Sequence, residues 1–342
     1  MDCSRSVNVE IPAKIVECVP NFSEGRDAAK IKAITDAIES VPGAKLLHVD
    51  PGPDANRTVV TFIGTPEAVA EAAFQAIAKA AELIDMRAQH GTHPRLGATD
   101  VCPFVPIEGV TLADCAEIAR KVGRRVGDEL GISVYFYEAA SANPKRRNLA
   151  DIRRGQYEGL AEKLKDGFWR PDCGSAVFNA RSGATVIGAR EFLIAYNINL
   201  NTRDKSAAAD IAAELRERGR PGRPGRPGEF KFCKAIGWYV EEFARAQISM
   251  NLTNYRVTPP HVVLERARQL AADRGLAVTG SELVGMIPYA ALLEAGKFYL
   301  AHQGRPANIP IAEILETAVA AMGLRDVRPF DVQRKVIGLP PV

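Results

Sequence analysis

The chain has 342 residues, 46% of them hydrophobic, which is enough for a substantial core and long enough for two domains or subdomains. Lys and Arg number 44 against 41 Asp and Glu, a net charge of +3, too balanced for nucleic acid or a membrane surface to be the main partner, though it suits an anionic small substrate. The six cysteines form no Cys-x-x-Cys pair and no zinc spacing, so they read as reduced thiols; the N-terminus has no apolar signal core, and the expected compartment is the cytoplasm.

Residues 15–19 are a β-prone run, broken by PNFSEGRD. Residues 28–39 then read as a helix with Asp27 as its N-cap. Strands are expected over residues 44–49, ended by DPGP, and over residues 58–63. Thr65-Pro66-Glu67 opens an Ala-rich helix to about Met86, with a capping hydroxyl, a proline in the first turn and an acidic residue next. Residues 91–104, GTHPRLGATDVCPF, follow without helical or strand period, a loop of reactive residue types at the end of a regular element. The end of that run, residues 101–106, resembles a strand; residues 112–130 are helical and 134–137 extended.

The second half repeats this order. A strand over residues 192–198 is broken by NLNTRD, a helix covers 205–218, strands cover 232–238 and 247–251, and Thr258-Pro259 opens a helix to about Arg274. Each half reads β-α-β-β-α-β, so the expected fold is α/β (α+β): two ferredoxin-like subdomains, each an antiparallel or mixed sheet with helices on one face, and a ligand crevice between them. The expected divisions are a tail over residues 1–14, subdomains over 15–184 and 185–300, and an extension over 301–342. Residues 218–228, RGRPGRPGRPG, are incompatible with helix or central strand and read as a solvated excursion, with a basic flap for an anionic ligand as the alternative.

His93 is the candidate proton carrier, because an imidazole titrates near neutrality and works in both directions. Other polar residues gather in loops at 21–26, 50–57 and 172–183. A Gly-x-Ser-x-Gly elbow, a P-loop and a Gly-x-Gly-x-x-Gly turn are all missing, and the five histidines form no metal set. That leaves transfer chemistry with one base, arginines for carboxylates, backbone donors and a shaped pocket.

IVECVPNFSEGRD (residues 15–27), DANRTVVTFIG (54–64), GTHPRLGATDVCPF (91–104), FLIAYNINLNT (192–202) and GSELVGMIP (280–288) resemble glutamate formimidoyltransferase, over nearly the whole chain. The resemblance implies a stand-alone transferase that moves a formimidoyl group between N5 of tetrahydrofolate and the amine of L-glutamate in histidine breakdown. Its implied partners are folate as co-substrate, L-glutamate and a second copy in a homodimer, with no metal, nucleic acid or membrane. The family's catalytic histidine falls on His93 and the aspartate of its L-x-V-D segment on Asp50. Its folate-binding loops fall on Gly174-Ser175-Ala176-Val177-Phe178-Asn179-Ala180-Arg181-Ser182-Gly183 and on Gly228-Glu229-Phe230-Lys231-Phe232-Cys233-Lys234-Ala235-Ile236-Gly237.

In those roles His93 would take the proton of the glutamate amine and return it to N5, and Asp50 would orient the ring as a triad carboxylate does. Glutamate's carboxylates call for arginine forks; Arg57 and Arg95 are the expected ones, then Arg26, with Asn56 as a further substrate contact or a turn former. Arg220, Arg223 and Arg226 are expected to meet long folate tails. The sequence departs from the family's pattern at Thr92, His48, Cys173 and Ser175, which leaves a 5-formyltetrahydrofolate:glutamate formyltransferase, or a catalytically silent folate-binding protein, as alternatives.

Overall fold

The computed structural model describes residues 14–220 and 227–339. The first unit begins with β1 (Ile15–Cys18) and β2 (Asn21–Phe22), two pieces of one strand interrupted at Pro20, which has no N–H to give and whose carbonyl accepts from Val60. Then come α1 (Ala28–Glu39), β3 (Ala44–Gly52), β4 (Arg57–Gly64), α2 (Pro66–Leu83), β5 (Thr99–Glu108), α3 (Leu112–Leu130), β6 (Ser133–Glu138), two short helices α4 (Leu149–Ile152) and α5 (Leu160–Lys163), and β7 (Ala184–Ala189). The helix starts follow local chemistry. Asp27 accepts from the Ala29 and Lys30 amides, Thr65 from Ala68, and Thr111 and Asp114 form a reciprocal capping box.

Across the first sheet the order is β3, β4, the broken strand β1/β2, β5, β7, β6; the β5–β7 and β6–β7 pairs are parallel and the rest antiparallel. The second unit is β8 (Ile194–Leu200), α6 (Lys205–Leu215), β9 (Cys233–Val240), β10 (Arg245–Leu252), α7 (Pro260–Ala272) and β11 (Val278–Val284), in the order β11, β8, β10, β9, antiparallel throughout. Within each unit the four strands of the β-α-β-β-α-β repeat lie with the first between the third and fourth, and the second outermost, so both are ferredoxin-like as expected. The chain continues through β12 (Ile287–Pro288), α8 (Tyr289–His302), α9 (Ile311–Met322), α10 (Val332–Lys335) and β13 (Val336–Ile337).

Two features adjust the expected divisions. The boundary at 184/185 falls at the start of β7, whose pairing with β5 and β6 carries the first sheet to Ala189. Residues 301–339 are no appendage: Leu315, Ala318, Val319 and Met322 of α9 are buried in the second unit's core.

Strand alternation positions the cavity. Val16 and Cys18, Val60 and Phe62, and Cys102 and Phe104 face α1–α3 in one core, while Glu17, Val59, Thr61, Val101 and Pro103 point the other way. Tyr196 and Ile198 pack on the second unit's helices, while Ala195 and Asn197 face outward. The two outward faces oppose each other across a cavity of about 720 Å³. A smaller core around Tyr135, Ile152, Leu160 and Val186 covers the β6–β7 end of that face, so there the helices are not confined to one side.

Candidate active site between the two units

Polar seams join the two units at two places along the crevice. At one, Asp50 Oδ2 accepts from the Gly285 amide (2.8 Å) and Lys335 Nζ (2.8 Å), Asp54 accepts from the Glu242 amide (3.0 Å), and Arg328 donates to the Pro51 carbonyl (3.2 Å). At the other, Lys234 reaches Asn148 (3.3 Å) and Glu138 (3.8 Å).

His93 lines the cavity, on a loop held from several sides. The Thr92 amide donates to the Asp54 carbonyl, the Ala98 amide to Ser182, and the Met86 amide to Arg181. The His93 ring donates from Nδ1 to the Pro94 carbonyl (2.7 Å), which fixes the tautomer and leaves Nε2 as the basic nitrogen. Burial, and then the nearby Arg57 and Arg153 charges, hold its pKa well below the usual histidine range. The ring is therefore neutral at physiological pH, the form a general base needs.

Those two guanidinium groups share one carboxylate. Asp100, on β5 and fully buried, accepts from Arg57 Nη1, from Arg153 Nε (3.2 Å) and Nη2, and from the Leu96 amide (2.9 Å). Burial alone would raise the Asp100 carboxyl; Arg153 and Arg57 outweigh it and hold it at about 2. One negative charge against two positive ones leaves the cluster cationic beside His93, suited to an incoming carboxylate.

The expected residues separate on this geometry. His93, Asp50 and Arg57 line the cavity. Asp50, however, is bonded to Gly285 and Lys335, and the ring contact expected of it is made by the Pro94 carbonyl. Arg95 does not reach the cavity: its five N–H donors go to Gln89 Oε1 and carbonyl, Gln156 and both Glu158 oxygens, so it pins the loop rather than a substrate. Asn56 is the turn former, with φ 45°, accepting from the Gly25 amide and donating to the His90 carbonyl. Arg26 is exposed and donates to the Pro53 carbonyl.

Residues 174–183 line none of the cavity either. Asn179 caps the Arg181 and Ser182 amides, the Ala180 carbonyl accepts from Tyr157, Phe178 stacks on Tyr157, Gly183 bridges Gly97, and Val177 is 76% exposed. That segment braces the His93 loop from behind. Ser175 caps the Val177 amide, and the Cys173 backbone pairs with Val134. In the second run, Phe232 and Lys234 reach the cavity; Glu229 pairs with Arg266, Cys233 and Ala235 are buried in the second core, and a Cβ on Gly237 would stand 2.1 Å from the Ala209 amide nitrogen of α6. Arg220 pairs with Asp210 at 2.9 Å, and Arg223 and Arg226 lie outside the described residues.

Arg153, Asp100, Asn197, Trp238, Gln247 and Glu282 were not singled out in the sequence. On the second unit's wall, Glu282 accepts from Asn197 (3.0 Å) and Gln247 (3.2 Å), and Trp238 donates to Gln247 (2.9 Å). Alternation marks Asn197 and Gln247 as polar residues between apolar ones, the signal by which they could be found. Arg153 ends a four-residue helix and carries no such signal.

No helix of the described residues is long and apolar enough to cross a membrane. Among them, no group of three or more His, Cys, Asp or Glu is arranged to hold a metal.

The sequence matches the formiminotransferase domain, N-terminal subdomain, over residues 15–190 and the formiminotransferase domain over residues 195–339. It is 46% identical to a formimidoyltransferase-cyclodeaminase of Dictyostelium discoideum, covering 95% of this chain but 60% of that protein, so the chain spans about three fifths of such relatives. A glutamate formimidoyltransferase of Thermoplasma acidophilum is 45% identical over 85% of this chain and 93% of its own length, and one of Streptococcus pyogenes serotype M1 is 42% identical over 84% and 94%. With both halves matched and the two-unit crevice in place, the chain belongs to the formiminotransferase domain family.

Proposed function

We propose that the protein is a glutamate formimidoyltransferase, exchanging a formimidoyl group between N5 of tetrahydrofolate and the amine of L-glutamate, with both substrates bound in the crevice. The observation that carries this reading is a neutral imidazole beside a cationic pair inside a two-walled cavity. Glutamate's carboxylate meets the nitrogens that Asp100 and Asn21 leave free, Nη2 of Arg57 and Nη1 of Arg153. The amine then lies within reach of His93 Nε2. As the amine nitrogen bonds to the formimidoyl carbon, Nε2 takes its proton; when the carbon–N5 bond breaks, the imidazolium returns that proton to N5. No net proton is consumed, and one residue serves as base and then acid. Holding two substrates in one crevice supplies the remaining acceleration. Asp50 contributes by joining the two walls at the cavity edge. The protein acts in the cytoplasm.

A single-turnover assay with 5-formimidoyltetrahydrofolate and L-glutamate, following tetrahydrofolate release, tests this. Wild-type turnover that falls on the order of 10²-fold or more in His93→Ala is expected. Turnover only with 5-formyltetrahydrofolate would redirect the reading to formyl transfer, and folate binding without turnover would make the protein a silent binder.

A further inference from the structure

Most acidic residues along the cavity already have a partner. Asp50 takes the Gly285 amide and Lys335, Asp54 the Glu242 amide, and Glu282 the Asn197 and Gln247 amides. Glu17 does not. It stands on β1 on the cavity side, is 1% exposed, and its Oε2 is enclosed without a hydrogen-bond donor among the described residues. Burial pushes its carboxyl up to about 7, against the opposing pull of Arg190. An enclosed carboxyl without a donor destabilises the empty protein, and a ligand that brings donors relieves that cost.

The broken strand β1/β2 spans the distance from Glu17 to the arginine pair. Asn21, which accepts from Arg57 Nε, lies four residues beyond Glu17, roughly 13 Å at strand spacing. The arginine end is cationic and suits carboxylates. The cavity wall that carries Glu17 also carries Val19, Pro103, Leu112 and the cation Arg190, and the Glu17 carboxylate suits a flat ring with two parallel N–H donors on one edge. The amino-pyrimidinone edge of a pterin is such a donor pair, and a carboxylate matches it as it matches an arginine fork.

We infer that Glu17 receives the ring N–H and exocyclic amine of the folate pterin in a paired hydrogen bond, and so sets the orientation in which N5 meets His93. The inference rests on the formimidoyl-transfer reading. Glu17 is a recognition residue: it takes no part in proton transfer to N5.

The test compares the Kd of 5-formyltetrahydrofolate with that of its 2-desamino-2-methyl analogue, which lacks the exocyclic donors, for wild type and Glu17→Gln. Wild type is expected to bind the parent about ten- to a hundredfold more tightly than the analogue, and Glu17→Gln to bind both equally weakly. The analogue on the wild-type protein gives an answer even if the variant folds poorly. A melting temperature at pH 8 no lower than wild type would further support the inference, because the substitution removes an enclosed charge that serves only the bound state. Undiminished binding of the parent by Glu17→Gln, or equal binding of both compounds by wild type, would overturn it. Wild-type protein that binds neither compound would overturn the formimidoyl-transfer reading and this inference together.

Discussion

At the residue scale, Asp100 decides what the arginines do. Two guanidinium groups around one buried carboxylate are kept rigid, and their surplus charge adds to burial, the larger cause, in keeping His93 neutral. In the proposed role of base, the neutral form of His93 persists as pH falls through the ordinary histidine range near 6.5, and is lost only as pH drops through its depressed value. Arg153→Gln removes one of the charges responsible. The acid limb of kcat/KM is expected to move to higher pH, because the His93 pKa rises, while KM for glutamate increases several-fold or more. A pH-rate profile of the variant that overlays the wild type would show that Arg153 does not act on His93. The three arginines first weighed, Arg26, Arg57 and Arg95, look alike in the sequence. Arg57 reaches the crevice, while Arg95 spends all five donors within its own subdomain and Arg26 remains outside.

At the scale of elements, the loop that carries His93 has no period of its own and is shaped by its surroundings. Gly91 sits where a Cβ would lie 2.1 Å from the Ala55 carbonyl oxygen, and Arg95 ties the loop to Gln89, Gln156 and Glu158. Arg95→Met is accordingly expected to cost ~1–3 kcal/mol of stability, measured by denaturant unfolding, from the unpaired buried groups it leaves. Its effect on turnover should appear in kcat through a loosened His93, with KM for glutamate little changed; a large selective rise in that KM would return Arg95 to the substrate. Helices were far more legible. The starts of α1 and α3 follow from the N-caps Asp27 and Thr111 and their extent from the apolar period, and the core face of each sheet follows from alternation. Strand β7 was missed because it pairs in parallel and is buried along its whole length, a pattern without alternation.

At the scale of the whole molecule, the crevice exists because two sheets oppose the faces turned away from their main helix layers. The seams of Asp50 with Lys335 and of Glu138 with Lys234 join segments far apart in the chain. Lys335 comes from the region expected as a mere extension, and α9 before it seals the second core. Deleting residues 306–342 is expected to abolish a cooperative thermal transition of the second unit and with it folate binding, since Leu315, Val319 and Met322 would leave their sites on α8 exposed. A truncated protein that melts as the full chain does would show the tail to be dispensable.

The order of elements within the two β-α-β-β-α-β repeats, the duplication and the candidacy of His93 were determined by the sequence alone, because capping, alternation and helical period act between residues a few positions apart. The long motifs also determined the family. Which arginines line the crevice, what orients the His93 ring, and the isolation of Glu17 were decided only by the tertiary structure. Burial and charge at those points arise from β1, β4, β5 and α4, which meet across intervals of dozens of residues, and no local pattern records such a meeting.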